Sequence, residues 1–207
     1  KISSEDPGFS NEYWSSMAEL GWLGLAFAED DGGFGGNQID TLVLMEQFGK
    51  GLVLEPFLAN IVLGGGAIKR GASEALRKSI LPSLIEGNLQ VTLAYAEEQS
   101  RFDLEDVATS ALEENEDFII NGKKSMVLNA ESADKVVVVT RTSGSQLDEQ
   151  GISLFLVDSN SEGIDRENFP TVDGLRASEI SFKDVRVSKE NLLGEKDKGF
   201  EILKAVS

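Results

Sequence analysis

The sequence has 207 residues, of which 41% are hydrophobic and 27% charged, and this length suffices for one large domain or two small ones with a real core. It contains no cysteine and no histidine, which excludes disulfides, thiolate nucleophiles, histidine metal sites and Ser-His-Asp catalysis. A net charge of −17, from 36 acidic and 19 basic residues, argues against nucleic acid and anionic membranes as partners. No apolar run approaches the roughly 18 residues that a membrane-spanning helix needs.

The first part of the chain, residues 1–88, carries the apolar spacing of helices. Four helices are predicted in it, the third ending at Gly71 and the fourth at Gly87. A turn-rich loop over 30–37 separates the first two. The residues expected to cap or open these helices are Ser10, Asp40, Pro56 and Ser73.

From Leu89 onward the apolar period changes to two residues, which is typical of strands. Asn121-Gly122 is the strongest hairpin signal in the chain, and short strands at this spacing indicate an antiparallel sandwich or barrel. The strand candidates are residues 89–95, 107–112, 118–121, 123–128, 135–141, 152–157 and 179–187.

The last residues, 198–207, have the pattern of the first turns of another helix, whose apolar side chains have little left to pack on. The sequence therefore predicts the α+β class, in three parts. We expect a helical N-terminal domain over 1–88, an antiparallel β-sandwich or barrel domain over 89–197, and the start of a truncated C-terminal helical domain over 198–207.

Two glycine clusters and one acidic tract are candidate ligand sites, but their sequence context favours structural roles. The first cluster, 32–36, follows a helix rather than a strand, so turn geometry is favoured over a phosphate-binding loop. The second, 64–66, lies in a helical pattern and indicates close helix packing. The tract 97–117 has nine carboxylates against Arg101 alone and lacks the spacing of a calcium loop, which favours a solvated loop and strand edge.

Several short segments follow one another in a specific order. Among them are Trp14-x-x-Met-Ala-Glu-Leu-Gly-Trp and Phe118-Ile-Ile-Asn-Gly-Lys-Lys. Together they resemble the acyl-CoA dehydrogenase family of flavoproteins, and the resemblance covers nearly the whole chain. The segments are 14–25, 28–36, 81–87, 118–124, 175–178, 182–187 and 191–194.

The resemblance implies a subunit with N-terminal helices, a middle β domain and a C-terminal helical bundle that is missing here. It implies FAD as cofactor, an acyl-CoA thioester as substrate, and α,β-desaturation in which the β hydrogen leaves as hydride to the flavin. The catalytic base of the family is then expected beyond Ser207, and this fragment is expected to be inactive. Further expectations are an electron-accepting flavoprotein as partner, a homo- or hetero-oligomer formed through the missing helices, and a cytoplasmic location.

Two stretches line the flavin in the family, and both match strand ends in this sequence. By position, residues 93–96 and 126–128 are implied to lie along the isoalloxazine, and Phe102 near the acyl chain or the CoA. The cofactor-binding residues implied by the resemblance are Leu93, Ala94, Tyr95, Ala96, Met126, Val127 and Leu128.

Four of these positions depart from the family's usual residues. Ala96 and Leu128 replace two hydroxyl side chains that hydrogen-bond the flavin ring. Met126 replaces a tryptophan that packs beside the ring, and Phe102 replaces a small serine. Backbone N–H groups do not depend on side-chain identity and still offer donors. Two alternatives stay open: a non-catalytic partner subunit of a heteromeric acyl-CoA dehydrogenase with a degenerate flavin site, and an acidic binding module without a cofactor.

Overall fold

The computed structural model of the protein describes residues 7–207. Helices make up the first part of the chain, and a sheet makes up most of the rest. The helices are α1 (Asn11–Glu19), α2 (Gln38–Gly51), a π-helical segment (Leu58–Gly65) that continues into α3 (Gly66–Gly71), α4 (Glu74–Ile85) and α5 (Phe200–Lys204), with 3-10 turns at Glu29–Asp31 and Lys189–Asn191.

Local capping signals predict two helix starts correctly and one wrongly. Ser10 and Ser73 each accept a backbone N–H from the residue three positions on, as expected of N-caps. The cap of α2 is Asn37 rather than Asp40. Asp40 instead accepts the N–H of Asn37 at 2.8 Å, because the two residues form a reciprocal capping box in which Asp40 is the inner member.

The π-helical segment approaches the sheet closely, as its glycines predict. A Cβ atom at Gly64 would lie 2.4 Å from the carbonyl oxygen of Val91, so only glycine fits there. On the same segment, Asn60 Oδ1 accepts the N–H of Val91 at 2.5 Å. The helical part of the chain is thereby fixed against the first strand.

The sheet has eight strands in the described part of the chain and is mixed. Its order is β6-β7-β3-β2-β4-β5-β8, with β1 paired to β4. The β1–β4 and β2–β4 pairings are parallel and the others antiparallel. The α+β class is confirmed. The strands are β1 (Val91–Ala94), β2 (Ser110–Glu114), β3 (Asp117–Leu128), β4 (Lys135–Arg141), β5 (Ile152–Asp158), β6 (Ile164–Pro170), β7 (Arg176–Ser188) and β8 (Leu192–Leu193).

The hairpin predicted at Asn121-Gly122 is wrong, because β3 runs straight through these residues. The turn between β2 and β3 lies at residues 115–116, where Asn115 has a φ of +60°. Gly122 has a φ of +148° at a register shift, where a Cβ atom would lie 2.6 Å from the Cα of Thr109. The glycine is therefore needed for a bulge and a close approach. Strand β6 was not predicted.

The sheet separates two hydrophobic cores, and β4 contributes to both. Val137 and Val139 face the helices, whereas Val136 and Val138 face β3 and β7. We call these the helix-side core and the strand-side core. The helix-side core includes Trp14, Phe27, Phe57, Leu81, Leu93, Val137 and Leu154, and the strand-side core includes Phe118, Ile120, Val127, Val136, Val138, Phe155 and Ile180.

The C-terminal segment packs better than its sequence suggests. Phe200, Leu203 and Val206 are buried and belong to the helix-side core. The expectation that these side chains have little to pack on is therefore wrong. Helix α5 contacts α3, which is remote in sequence.

Candidate functional site

The two stretches expected to line a flavin are neighbours in the fold. They are the C-terminal ends of β1 and β3. Ser125 donates its N–H to the carbonyl oxygen of Ala96 at 2.9 Å. Thr92 donates its hydroxyl to the carbonyl oxygen of Leu128 at 2.6 Å. These bonds hold the ends of the two strands side by side.

The side chains of these stretches do not all face one ligand. Leu93 is buried in the helix-side core, and Ala94 and Val127 are buried in the strand-side core. Their side chains therefore offer no surface to a ligand and can only pack beneath the residues that do. The residues with exposed surface are Tyr95, Ala96 and Leu128, which are half-buried, and Met126, which is 50% exposed; we call these four residues the strand-end platform.

Directly behind the platform lies a buried ion pair. Lys124 has no exposed surface, and its Nζ lies 2.6 Å from Glu97 Oε1. Burial lowers the pKa of Lys124 to about 8 despite the nearby carboxylate. Nζ also donates to the carbonyl oxygen of Tyr95 at 3.2 Å. The ammonium thus joins β3 to the chain segment that follows β1.

Both oxygens of the Glu97 carboxylate accept hydrogen bonds from within the protein. Besides Lys124, it accepts the N–H groups of Ala108 and Thr109 at 3.0 Å each, and Gln99 Nε2 at 2.8 Å. Burial alone would raise the pKa of Glu97, but the charge of Lys124 and these hydrogen bonds hold it below its usual range. Glu97 therefore fixes the loop and offers no carboxylate to a ligand. The interpretation of residues 97–117 as a solvated tract is wrong at this position.

Arg141 anchors the same loop from the far end of β4. Burial lowers the pKa of its guanidinium, which the charge of Asp148 opposes. Four backbone carbonyl oxygens accept its N–H groups at 2.7–2.9 Å, those of Glu105, Gln146, Asp148 and Gln150. The loop between β1 and β2 is thereby tied to the loop between β4 and β5.

Phe102 is not brought to the platform by the fold. It lies at the exposed tip of the loop between β1 and β2, after Arg101 with a φ of +49°. Its side chain is 98% exposed, so its ring packs against no other part of the described chain. A large exposed aromatic ring at a loop tip is available for contact with a second molecule.

An apolar cavity of about 320 Å³ opens beside the platform. Leu128 and Asn129 form part of one wall. Another wall contains Phe48 and Phe57, whose ring centroids are 5.1 Å apart. The sequence gives no motif for this cavity, because its walls come from α2, the chain before the π-helical segment and the end of β3.

Two family models match most of the sequence. The model described as "Acyl-CoA dehydrogenase, N-terminal domain" matches residues 1–88, and the one described as "Acyl-CoA dehydrogenase, middle domain" matches residues 92–185. The chain belongs to the acyl-CoA dehydrogenase family. Among the described residues, no helix is both long and apolar enough to cross a membrane.

Individual members of the family are similar over most of the chain. The caffeyl-CoA reductase-Etf complex subunit CarC of Acetobacterium woodii is 31% identical over 95% of this chain and 53% of its own length. The mitochondrial long-chain specific acyl-CoA dehydrogenase of Mus musculus is 32% identical over 94% of this chain and 46% of its own. The chain therefore spans about half the length of the curated relatives it matches.

Solved structures of the family have the same fold. In the structure of the ChsE4-ChsE5 complex from Mycobacterium tuberculosis, one chain superposes with a TM-score of 0.84 at 27% identity. The match covers 93% of this chain and 50% of that one.

FAD is the cofactor implied by this family, and the strand-end platform fits it in part. Its four side chains are aliphatic or aromatic and partly or largely exposed, and such side chains can pack against a planar ring. Tyr95 is the only one of the four that carries a hydroxyl. The N–H of Met126 is already donated to Glu179 Oε1 at 3.3 Å, and the carbonyl of Ala96 already accepts from Ser125. The platform thus offers a packing wall for a flavin, and the N–H of Met126 is not left over for a hydrogen bond to the ring.

Proposed function

We propose that the full-length protein is an FAD-dependent acyl-CoA dehydrogenase subunit that desaturates an acyl-CoA thioester between its α and β carbons. The observation that carries this proposal is the strand-end platform, where the ends of β1 and β3 are joined beside an apolar cavity. When bound, the flavin supplies hydride acceptance from the β carbon. The residues of this chain bind and orient the ring.

Each part of the site has a role in this proposal. Tyr95, Ala96, Met126 and Leu128 pack against the isoalloxazine, while Leu93, Ala94 and Val127 support them from the cores. The cavity beside Leu128 receives the apolar acyl group, since its walls are mostly hydrophobic. Phe102 contacts the acyl chain or the CoA from its loop tip. The catalytic base is assigned to the part of the subunit that follows Ser207, so the 207-residue chain alone is expected to be inactive.

The remaining expectations belong to the same proposal. The electrons leave the flavin for an electron-accepting flavoprotein, and the subunit forms a homo- or hetero-oligomer. The chain divides into domains over 1–88 and 89–197, with a third beginning at 198, and the protein is cytoplasmic. None of its partners is a nucleic acid or a membrane.

The test is the visible absorption spectrum of the full-length protein purified alone. The proposal predicts bound flavin that bleaches when an acyl-CoA is added anaerobically. The 207-residue chain is the matched control and should not bleach. A flavin-loaded full-length protein that no acyl-CoA reduces would contradict the proposed reaction.

A second candidate function is a non-catalytic subunit of a heteromeric acyl-CoA dehydrogenase. It is favoured by the missing hydroxyls at Ala96 and Leu128 and by the Met126 N–H, which is taken by Glu179. Loss of a hydrogen bond to a charged or polarised group costs about 1.5–3 kcal/mol. This candidate predicts a colourless, folded full-length protein that raises the activity of a flavin-binding partner. Stoichiometric flavin in the isolated subunit would rule it out. The acidic binding module, our third interpretation, would bind neither flavin nor acyl-CoA.

A further inference from the structure

Strand β3 bulges where it carries the strand-end platform. Lys124 and Val127 pair with Ile180 and Ser178 of β7. Two residues of β3 therefore stand opposite Glu179 alone. This is the geometry of a β-bulge, in which one strand holds an extra residue and the ladder is interrupted.

The bulge has an unfavourable backbone conformation that one side chain stabilises. Met126 has a φ of +52°, a left-handed conformation that residues other than glycine rarely adopt. Glu179 Oε1 accepts the hydroxyl of Ser125 at 2.8 Å and the N–H of Met126 at 3.3 Å. Because both donors belong to the two residues opposite Glu179, the carboxylate satisfies the backbone group that the interrupted ladder leaves unpaired.

The bulge decides which way the following side chains face. Side chains alternate along a strand, so one extra residue exchanges the two faces. Ile180 and Phe182 of β7 lie in the strand-side core, and the bulge places Val127 in that core with them. Leu128 then packs against the helix-side core, and Met126 is exposed. Without the bulge, Met126 would take the buried place of Val127.

We propose that Glu179 is a positioning residue for the flavin, because it holds the bulge that presents Met126 and Leu128 to the ring. This inference rests on the proposed function, since it takes the strand-end platform as the flavin wall. Glu179 itself faces β3 and makes its contacts through Ser125 and Met126, so it acts through them rather than on the ring.

The experiment compares three variants of the full-length protein after its flavin has been removed. Glu179→Ala removes the acceptor, and Glu179→Gln keeps an accepting oxygen without the charge. Glu167→Ala is the matched control, because Glu167 is the exposed carboxylate directly opposite Glu179 on β6. FAD affinity is measured by fluorescence quenching, and the mobility of the bulge by hydrogen exchange at the Met126 amide. Thermal unfolding shows that each variant is folded.

The inference predicts that Glu179→Ala weakens FAD binding about tenfold or more, as expected for the loss of the two hydrogen bonds that hold the bulge. It predicts faster exchange at Met126 in the same variant. Glu179→Gln should restore most of the affinity, and Glu167→Ala should match the wild type. A purely structural role would lower the unfolding temperature and leave the FAD affinity unchanged.

Two results overturn the inference, and they differ from each other. If the wild type binds FAD and Glu179→Ala binds it equally well, Glu179 does not position the flavin, while the proposed function stands. If the wild type binds no FAD, the proposed flavin site itself fails. The exchange rate at Met126 then still reports whether Glu179 holds the bulge.

Discussion

Two charged regions come from one acidic stretch of sequence and lie in opposite environments. At its start, Glu97 is buried and pairs with the buried Lys124. At its end, the β2–β3 hairpin carries exposed carboxylates. Those carboxylates make surface ion pairs, namely Glu113 with Lys196, Glu114 and Asp117 with Arg186, and Glu116 with Lys189.

The comparison shows that burial, rather than ion-pair distance, decides what a charge pair does. Both regions contain pairs at about 2.5–2.9 Å. The surface pairs are screened by water and contribute little. The buried pair joins β3 to the loop after β1, and removal of one partner leaves an unpaired charge in the interior. We therefore expect the first region to support the strand-end platform and the second to affect mainly solubility.

Breaking the buried pair should have the largest effect. Lys124→Met leaves the carboxylate of Glu97 without its counter-charge, so we expect a loss of about 3–5 kcal/mol in the free energy of unfolding. Urea denaturation measures this loss. The matched control is Lys189→Met, which breaks an exposed pair and should unfold like the wild type. A loss below about 1 kcal/mol in Lys124→Met would mean that the interior accommodates the lone carboxylate.

Buried and exposed glycines should also differ in how well they tolerate a side chain. Gly64→Ala places a methyl group 2.4 Å from the carbonyl oxygen of Val91 and should cost about 1–3 kcal/mol by forcing the π-helical segment away from β1. Gly49→Ala is the control, because Gly49 is exposed in α2 with open space around its Cα. Alanine is the better helix former, so this control should gain up to about 1 kcal/mol. Equal stabilities in thermal denaturation would argue against the close approach.

Acid should weaken the contribution of the buried pair to stability. The pKa of Glu97 in the folded chain lies below its unfolded value of 4.5, so its contribution to stability is present above that value and is lost as the pH falls through the folded pKa. In Glu97→Gln this part of the acid dependence should be absent. Measurement of unfolding midpoints from pH 7 downward tests it, and parallel curves for the two proteins would count against the assignment.

The smallest loss of stability is expected when a surface ion pair of the β2–β3 hairpin is removed. Lys196→Ala removes a surface ion pair with Glu113 and should leave the unfolding midpoint within error of the wild type. Added salt should screen the remaining pairs and change stability only slightly. A clear loss of stability in Lys196→Ala at low salt would show that the surface pairs act as a network.

Features governed by neighbours in sequence were predictable. Strand β4 was expected at residues 135–141, where it lies, because a run of valines between polar ends fits a strand that is buried on both faces. The caps at Ser10 and Ser73 follow from short-range hydrogen bonding. The close packing of residue 64 follows from its lack of a side chain.

Features that depend on distant residues were not predictable. Glycine is required at position 122 because Thr109 fills the space where a Cβ atom would lie. The buried state of Glu97 depends on Lys124, which is 27 positions away. The bulge at Met126 depends on Glu179, on another strand. In each case a local pattern suggested one structure, and a contact across the sheet selected another.

For the strand-end platform, the sequence predicts that the two stretches are neighbours, but it does not predict which of their side chains are exposed. The family resemblance places the two strand ends, and the fold brings them together through Ala96 and Leu128. Which side chains are exposed depends on the bulge, which no spacing rule reveals. The register of β3 against β7 must therefore be known before the exposed cofactor-binding residues can be told from the buried ones.

A structure of the full-length protein with bound FAD would test the proposed flavin site directly. We expect the isoalloxazine ring to pack against Met126 and Leu128, with Glu179 still hydrogen-bonded to the bulge behind them. A ring bound elsewhere, with the strand-end platform left in contact with solvent or a partner chain, would contradict this expectation.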